Sequence, residues 1–267
     1  MKFVAKSIVL LALFATNLAP SRAQDSKSAA QRGYTALTTR SYVAAPWQPQ
    51  AFDELWKHWQ PPLDKKPEPY AQAIQDRYGL HPAPYPNGNL PMGLREGELF
   101  FLKGITSDCM MCHSSSLLGK SYIGMGNQTL DIQGIFEDLN RASGLSTKLP
   151  FTFGRNRGTS EAGAMAVYLL SFREPDLKLR FKNNDFVLRD DLCEDVPAWW
   201  LLKKKKTMYY TGGSHAESVR SIMQFMLSPT TTAATFAREE ATFKDIQAYI
   251  NSIEAPKYPY PIDEPLA

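Results

Sequence analysis

Cysteine and histidine are scarce in this chain, with 3 and 4 among 267 residues. Two of the three thiols fall in one short motif, so the chain has no disulfide framework, and Cys193 has no intrachain partner once the other two are committed. Histidines at 58, 81 and 215 are scattered, which leaves little from which to assemble a four-ligand structural zinc site. An excess of one charge is lacking as well. The nominal +3 is carried by Lys2, Lys6 and Arg22, and without the first 23 residues 27 basic side chains face 27 acidic ones. Nothing in that balance points to nucleic acid as a partner. Internal repeats are absent, and past the first twenty residues so are apolar runs long enough to span a bilayer.

What is there begins with an export signal over residues 1–23. Lys2 and Lys6 form a positive start, residues 7–18 an apolar run too short for a permanent anchor, and Ser21-Arg22-Ala23 a small-x-small cleavage site that predicts a mature start at Gln24. The expected location is therefore periplasmic or otherwise extracytoplasmic, with no stable membrane span after cleavage. The mature length allows one large or two small domains with a real core.

The most specific stretch is Cys109-Met110-Met111-Cys112-His113. Two cysteines three apart on one turn, followed at once by histidine, form the attachment signature of a c-type haem: both thiols add across the porphyrin vinyl groups and the imidazole takes the iron. A thioredoxin-like dithiol would instead follow a strand in a βαβ unit, which the flanking residues do not suggest. The motif predicts one covalent haem c held by Cys109, Cys112 and His113. Cys193 is then a buried thiol or an intermolecular link.

Along the chain, residues 24–89 are rich in Pro and aromatics and read as an arm wrapped on the domain that follows. Its prolines permit only short helices, at 50–60 and 70–78, and Trp47, Trp56, Trp59, Tyr70, Tyr78 and Tyr85 are too many large apolar groups to leave in water. Residues 94–103 have apolar groups at Leu94, Leu99, Phe100 and Leu102 and are expected to form a helix ending at Gly104. A Gly-rich loop is expected over 119–127, with helices at 129–139, 159–172 and 241–253. In the last, Phe243, Ile246, Tyr249, Ile250 and Ile253 recur at spacings of three and four. Residues 257–267 read as a Pro-punctuated linker.

The segment Glu98-Leu99-Phe100-Phe101 before the motif resembles the N-terminal helix of cytochrome c domains, and 241–253 resembles the C-terminal helix that crosses it beside the haem. The resemblance implies a mainly α, cytochrome c-like haem domain over residues 90–256 and, for bacteria, haem attachment outside the cytoplasmic membrane. Residues 196–202, 208–213 and 217–226 resemble the distal segment of bacterial di-haem cytochrome c peroxidases and the related rubber oxygenases, in which a short helix ends in the Met that ligates the electron-transfer haem. By that resemblance Met226, or alternatively Met223, is the second iron ligand. Thr211 stands where the family turn carries histidine, and Trp199-Trp200-Leu201 replaces its Leu-Arg-Asn run, which puts a peroxide-handling role of that turn in doubt. His215 is a further distal candidate, Arg155, Arg157 and Lys203 to Lys206 are candidates for the haem propionates, and the lysines could instead steer an acidic redox partner. With one attachment motif, the expected function is electron transfer through a His/Met-ligated iron with a redox partner protein. The alternative is a haem peroxidase or oxygenase with an open distal face, or one domain of a di-haem enzyme completed by a second haem domain or subunit.

Overall fold

A computed structural model describes residues 27–149, 151–180, 194–209, 211–228, 231–263 and 265. The expected leader and Cys193 lie outside the described residues. The helices are α1 (Ala29–Thr39), α2 (Ala51–Glu54), α3 (Tyr70–Tyr78), α4 (Ile132–Ala142), α5 (Ala162–Ser171), α6 (Val219–Ile222) and α7 (Ala233–Ser252). The strands are β1 (Leu94–Leu99), β2 (Leu102–Ser107), β3 (Ser114–Leu117), β4 (Lys120–Ile123), β5 (Thr159–Ser160), β6 (Glu194–Asp195), β7 (Thr207–Met208) and β8 (Ser214–His215). They pair as four separate two-stranded antiparallel sheets.

This corrects the expectation of a mainly α, cytochrome c-like domain: the fold is mixed, with 39% of the described residues helical and 14% in strands. The sharpest departure is at 94–103, where the expected helix is a hairpin. Leu94 pairs with Ser107 and Leu99 with Leu102, placing Gly97 opposite Gly104. Gly97 would weaken the interior of a helix by about 1 kcal/mol, and Gly104 suits only a helix end. In the hairpin they face the arm instead, Gly97 against Ser41 and Ala45, and Gly104 against the carbonyls of Ala45 and Trp47. The arm hydrogen-bonds to both strands, Ala45 N–H donating to Glu98 O while Trp47 and Ile105 exchange backbone bonds. The hairpin turns on Phe100 and Phe101, both at positive φ (49° and 69°), as a two-residue turn of this hand requires. Part of the expected Gly-rich loop is likewise a hairpin, β3–β4, turning at Leu118 and Gly119.

The long helix of the C-terminal part is crossed not by 94–103 but by α1. A capping box between Ser28 and Gln31 starts α1, and one between Thr232 and Thr235 starts α7, eight residues earlier than its apolar spacing suggested. At the crossing, a Cβ on Gly33 would stand 1.9 Å from Asp245 O, so only glycine permits this approach. Arg32 donates two hydrogen bonds to Asp245, Arg40 pairs with Glu239, and the Tyr34 and Tyr249 rings meet edge to face at 5.3 Å.

Two apolar clusters result. The first gathers Trp47, Phe52, Leu55, Trp59, Ile74 and Tyr78 from the arm with Ile135, Phe136 and Leu139 of α4. The second gathers Leu37 of α1, Phe236, Phe243, Ile246 and Ile250 of α7, Trp199, and four methionines: Met92, Met110, Met223 and Met226. Between them runs the chain from β2 through the motif to β3. No helix among the described residues is long and apolar enough to cross a membrane.

Candidate haem-attachment site

The motif folds as a 3-10 turn, Cys109–Met111, with Asp108 as its N-cap, the carboxylate accepting from Met110 N–H at 2.8 Å. His113 N–H donates to Cys109 O at 3.0 Å, so the turn continues into the histidine. Cys109 and Met110 lie against the second cluster, Met111 and Cys112 against the first. The two thiols thus stand on one turn at the seam between the cores.

Several groups fix this turn from outside. Arg95, at the start of β1 and only 5% exposed, pairs with Asp108 at 2.8 Å and donates to the carbonyls of Leu37 and Thr38 at the end of α1. The helix C-terminus supplies negative partial charge there, which suits the guanidinium. Asn127 Nδ2 donates to Met111 O and Gly79 O, and its backbone N–H donates to Cys112 O. Of these, only Asp108 carried a sequence signal, as a capping residue directly before the turn. Arg95 and Asn127 act across distant chain, which spacing does not reveal.

The imidazole is held on two sides. His113 Nδ1 lies 3.2 Å from Pro197 O, and a carbonyl can only accept, so the proton sits on Nδ1 and Nε2 keeps its lone pair. The ring stacks on Trp199 at 5.2 Å between centroids and 27° between planes. Trp199 N–H donates to Gly124 O while Gly124 N–H donates to His113 O, which ties the Pro197–Trp199 segment to the motif. Gly126 makes this close fit possible, since a Cβ there would meet Val196 O at 1.9 Å. Burial holds the imidazole down at about 4, with the Lys205 charge acting in the same direction and the Pro197 carbonyl opposing it. At neutral pH His113 is an unprotonated base.

Burial, reinforced by the Asp108 carboxylate, pushes both thiols up to about 12. They are neutral thiols at pH 7, the opposite of the depressed thiol that a disulfide oxidoreductase uses. A structural zinc site needs more ligands than are gathered here: among the described residues no three His, Cys, Asp or Glu side chains come together to hold a metal.

The two methionine candidates for the distal ligand fall in one place. Met223 and Met226 are buried (3% and 5% exposed) in the second cluster with Met110 and Trp199. Thr231 Oγ1 donates to Met226 O, and the buried Arg173 guanidinium donates to Thr231 O and Ser228 O. Met226 also lines a cleft of about 400 Å3 with Tyr42 and Glu239. Tyr42 Oη is buried with no hydrogen-bond partner. His215 is exposed on β8. Arg157 Nη2 donates to the carbonyls of Asp76 and Arg77. Lys203 to Lys206 are exposed.

A scan against models of known protein families finds no match, and a search of curated proteins finds no similar sequence.

Proposed function

We propose that this chain is an exported electron carrier bearing one haem c, covalently held by Cys109 and Cys112, with His113 as one iron ligand and Met226 as the other. The observation that carries the reading is the His113 ring: its Nδ1–H is committed to Pro197 O, so Nε2 alone is left to bind a metal, in the arrangement by which ligating histidines are oriented. The thiols fit the same group. They sit on one turn, remain neutral, and are flanked by apolar side chains that would cover a macrocycle. Bound there, a haem supplies a single reversible redox change.

The chain's own part is to hold and shield. Asp108 and Arg95 fix the turn that presents both sulfurs, Asn127 anchors the carbonyls behind it, and Trp199 sets the plane of the imidazole. Met226 is favoured over Met223 because it faces the cleft beside Tyr42, and its turn is pinned by Thr231 and Arg173. A soft thioether is a low-cost occupant of an apolar cluster and a good ligand for iron.

The test is expression with export in a bacterium able to attach haem c. The native chain should retain haem through acid-acetone extraction, and the Cys109→Ala/Cys112→Ala chain should not. Met226→Ala should convert a low-spin ferric spectrum to a high-spin one and admit cyanide, while Met223→Ala leaves the spectrum intact. Rapid cyanide binding by the unaltered protein would sink the carrier reading in favour of a haem peroxidase or oxygenase.

A further inference from the structure

Trp199, stacked on His113, is the first residue of the 3-10 turn Trp199–Lys204, and the same turn runs outward into Lys203, Lys204, Lys205 and Lys206. All four lysines are exposed. Lys203 is paired with Glu254, but among the described residues no carboxylate pairs with Lys204, Lys205 or Lys206. Elsewhere Lys57, Lys66 and Lys178 pair with Glu54, Asp53 and Asp176, and lysines without such a pair, among them Lys103, Lys120 and Lys148, stand singly rather than three in succession. Leu201, at 38% exposed, and the half-buried Trp200 lie within the same turn. A small apolar centre beside three uncompensated positive charges is therefore joined through one aromatic ring to the imidazole.

We infer that this turn is the docking face for an acidic redox protein, and that electrons enter and leave through the Trp199–His113 stack behind it. The inference rests on the haem reading above. The exchange is one electron: the partner's reduced centre is oxidised by one unit and the ferric iron reduced by one, with no bond made or broken and no proton transferred. Charge selects the partner's sign, because an acidic patch meeting Lys204, Lys205 and Lys206 is steered to the one surface with a stacked route inward. Three lysines with one exposed leucine are too few for stable seating on a bilayer, where each basic residue near an anionic surface contributes only about 1 kcal/mol.

The test uses the haem-bearing protein and two inorganic oxidants of opposite charge, ferricyanide and tris(phenanthroline)cobalt(III), followed by stopped flow. At about 10 mM ionic strength, K204E/K205E/K206E should slow oxidation by ferricyanide roughly five- to tenfold and speed oxidation by the cobalt complex, with both differences collapsing near 0.5 M salt. K65E/K103E/K148E, which changes net charge equally, should shift either rate less than about twofold. Polyglutamate, standing for an acidic protein surface, should slow ferricyanide oxidation of the unaltered protein and leave the first triple variant unaffected. Trp199→Leu should lower both rates at high salt while haem content is retained. Equal effects from the two triple variants, or an unchanged rate in Trp199→Leu, would overturn the inference and place electron entry elsewhere. Lysine-dependent binding to phosphatidylglycerol vesicles without competition by polyglutamate would overturn it in favour of a membrane surface. A chain that carries no covalent haem fails at the spectrum, before any rate is measured, and brings down both readings.

Discussion

The two clusters solve the same packing problem with different materials. In the first, aromatic rings carry polar handles that find partners: Trp47 Nε1 donates to Asn140, Trp59 Nε1 to Tyr78 Oη, Tyr78 Oη to Asp138, and Tyr70 Oη to Phe52 O. Such a core has one arrangement, since shifting any ring strands a buried donor. The second is built of two crossed helices and four methionines, with Tyr85 Oη set against the Met110 sulfur at 3.5 Å and Tyr42 Oη buried without a hydrogen-bond partner. Unbranched thioethers repack at low cost. The difference teaches that the first cluster is a finished scaffold, while the second is compliant where a large apolar group would be received, and the motif is mounted between them.

That contrast breaks if the two cores respond alike to substitution. Tyr78→Ala should lower stability by about 3–5 kcal/mol, through the cavity left at a site 1% exposed and the loss of the bridge from Trp59 to Asp138. Met110→Leu, at a site equally buried in the second cluster, should cost less than about 1.5 kcal/mol. Chemical denaturation of both variants checks this, and a Met110→Leu loss as large as that of Tyr78→Ala would show a second core as rigid as the first.

Arg95 is where the regions are tied together. Arg95→Met removes the partner of a nearly buried Asp108 and releases the Leu37 and Thr38 carbonyls, an expected loss of about 3–5 kcal/mol. Because Asp108 caps the motif turn, the same variant should also lower the yield of covalent haem. Normal haem content in a destabilised Arg95→Met protein would separate the two roles and weaken the claim that this ion pair presents the sulfurs.

Much of the site was legible in the sequence because it is local. The single turn that carries both cysteines and the helix at 70–78 each depend on neighbours within a few residues, and the structure has both. Helix α4 starts at 132 rather than 129 because Asp131 caps it, accepting from Gly134 N–H. What escaped is non-local or unusual. Leu94, Leu99 and Leu102 fit a helical face as well as a hairpin, and the turn that decides between them uses two phenylalanines at positive φ where Asn-Gly would have been the signal. The partner of α7 lies more than two hundred residues away, marked only by Gly33. Pro197 holds His113 with a carbonyl, a group every residue possesses, so no residue type could announce it.

The helix crossing offers a sharper test of compliance, with a smaller effect. Gly33→Ala places a methyl where the Asp245 carbonyl stands, and α1 must move away from α7. If the second cluster yields as its methionines suggest, the cost is about 1–3 kcal/mol, with the Arg32–Asp245 pair stretched or lost. The melting temperature should fall by several degrees without loss of the folded state. Complete unfolding would show the crossing to be as unyielding as the aromatic core.

The smallest expected effect probes the seam itself. His81 is 4% exposed, with Nε2 2.9 Å from Thr129 Oγ1 and 3.2 Å from Ser115 Oγ, its carbonyl accepting from Met92 N–H, and Nδ1 unpartnered. Burial lowers its pKa below the ordinary 6.5, against a weaker opposing contact with Asn127. The sign follows from proton counting: between the folded value and 6.5 the unfolded chain binds the proton and the folded chain does not, so this contribution to stability is present above pH 6.5 and is lost as pH falls through that window. The slope from one such group is at most about 1.4 kcal/mol per pH unit. Urea midpoints at pH 7.5 and 5.0 should therefore differ more for the unaltered protein than for His81→Gln, which cannot titrate there. Equal differences would mean that His81 takes up its proton without disturbing the contacts on either side, and that the seam is looser than its hydrogen bonds imply.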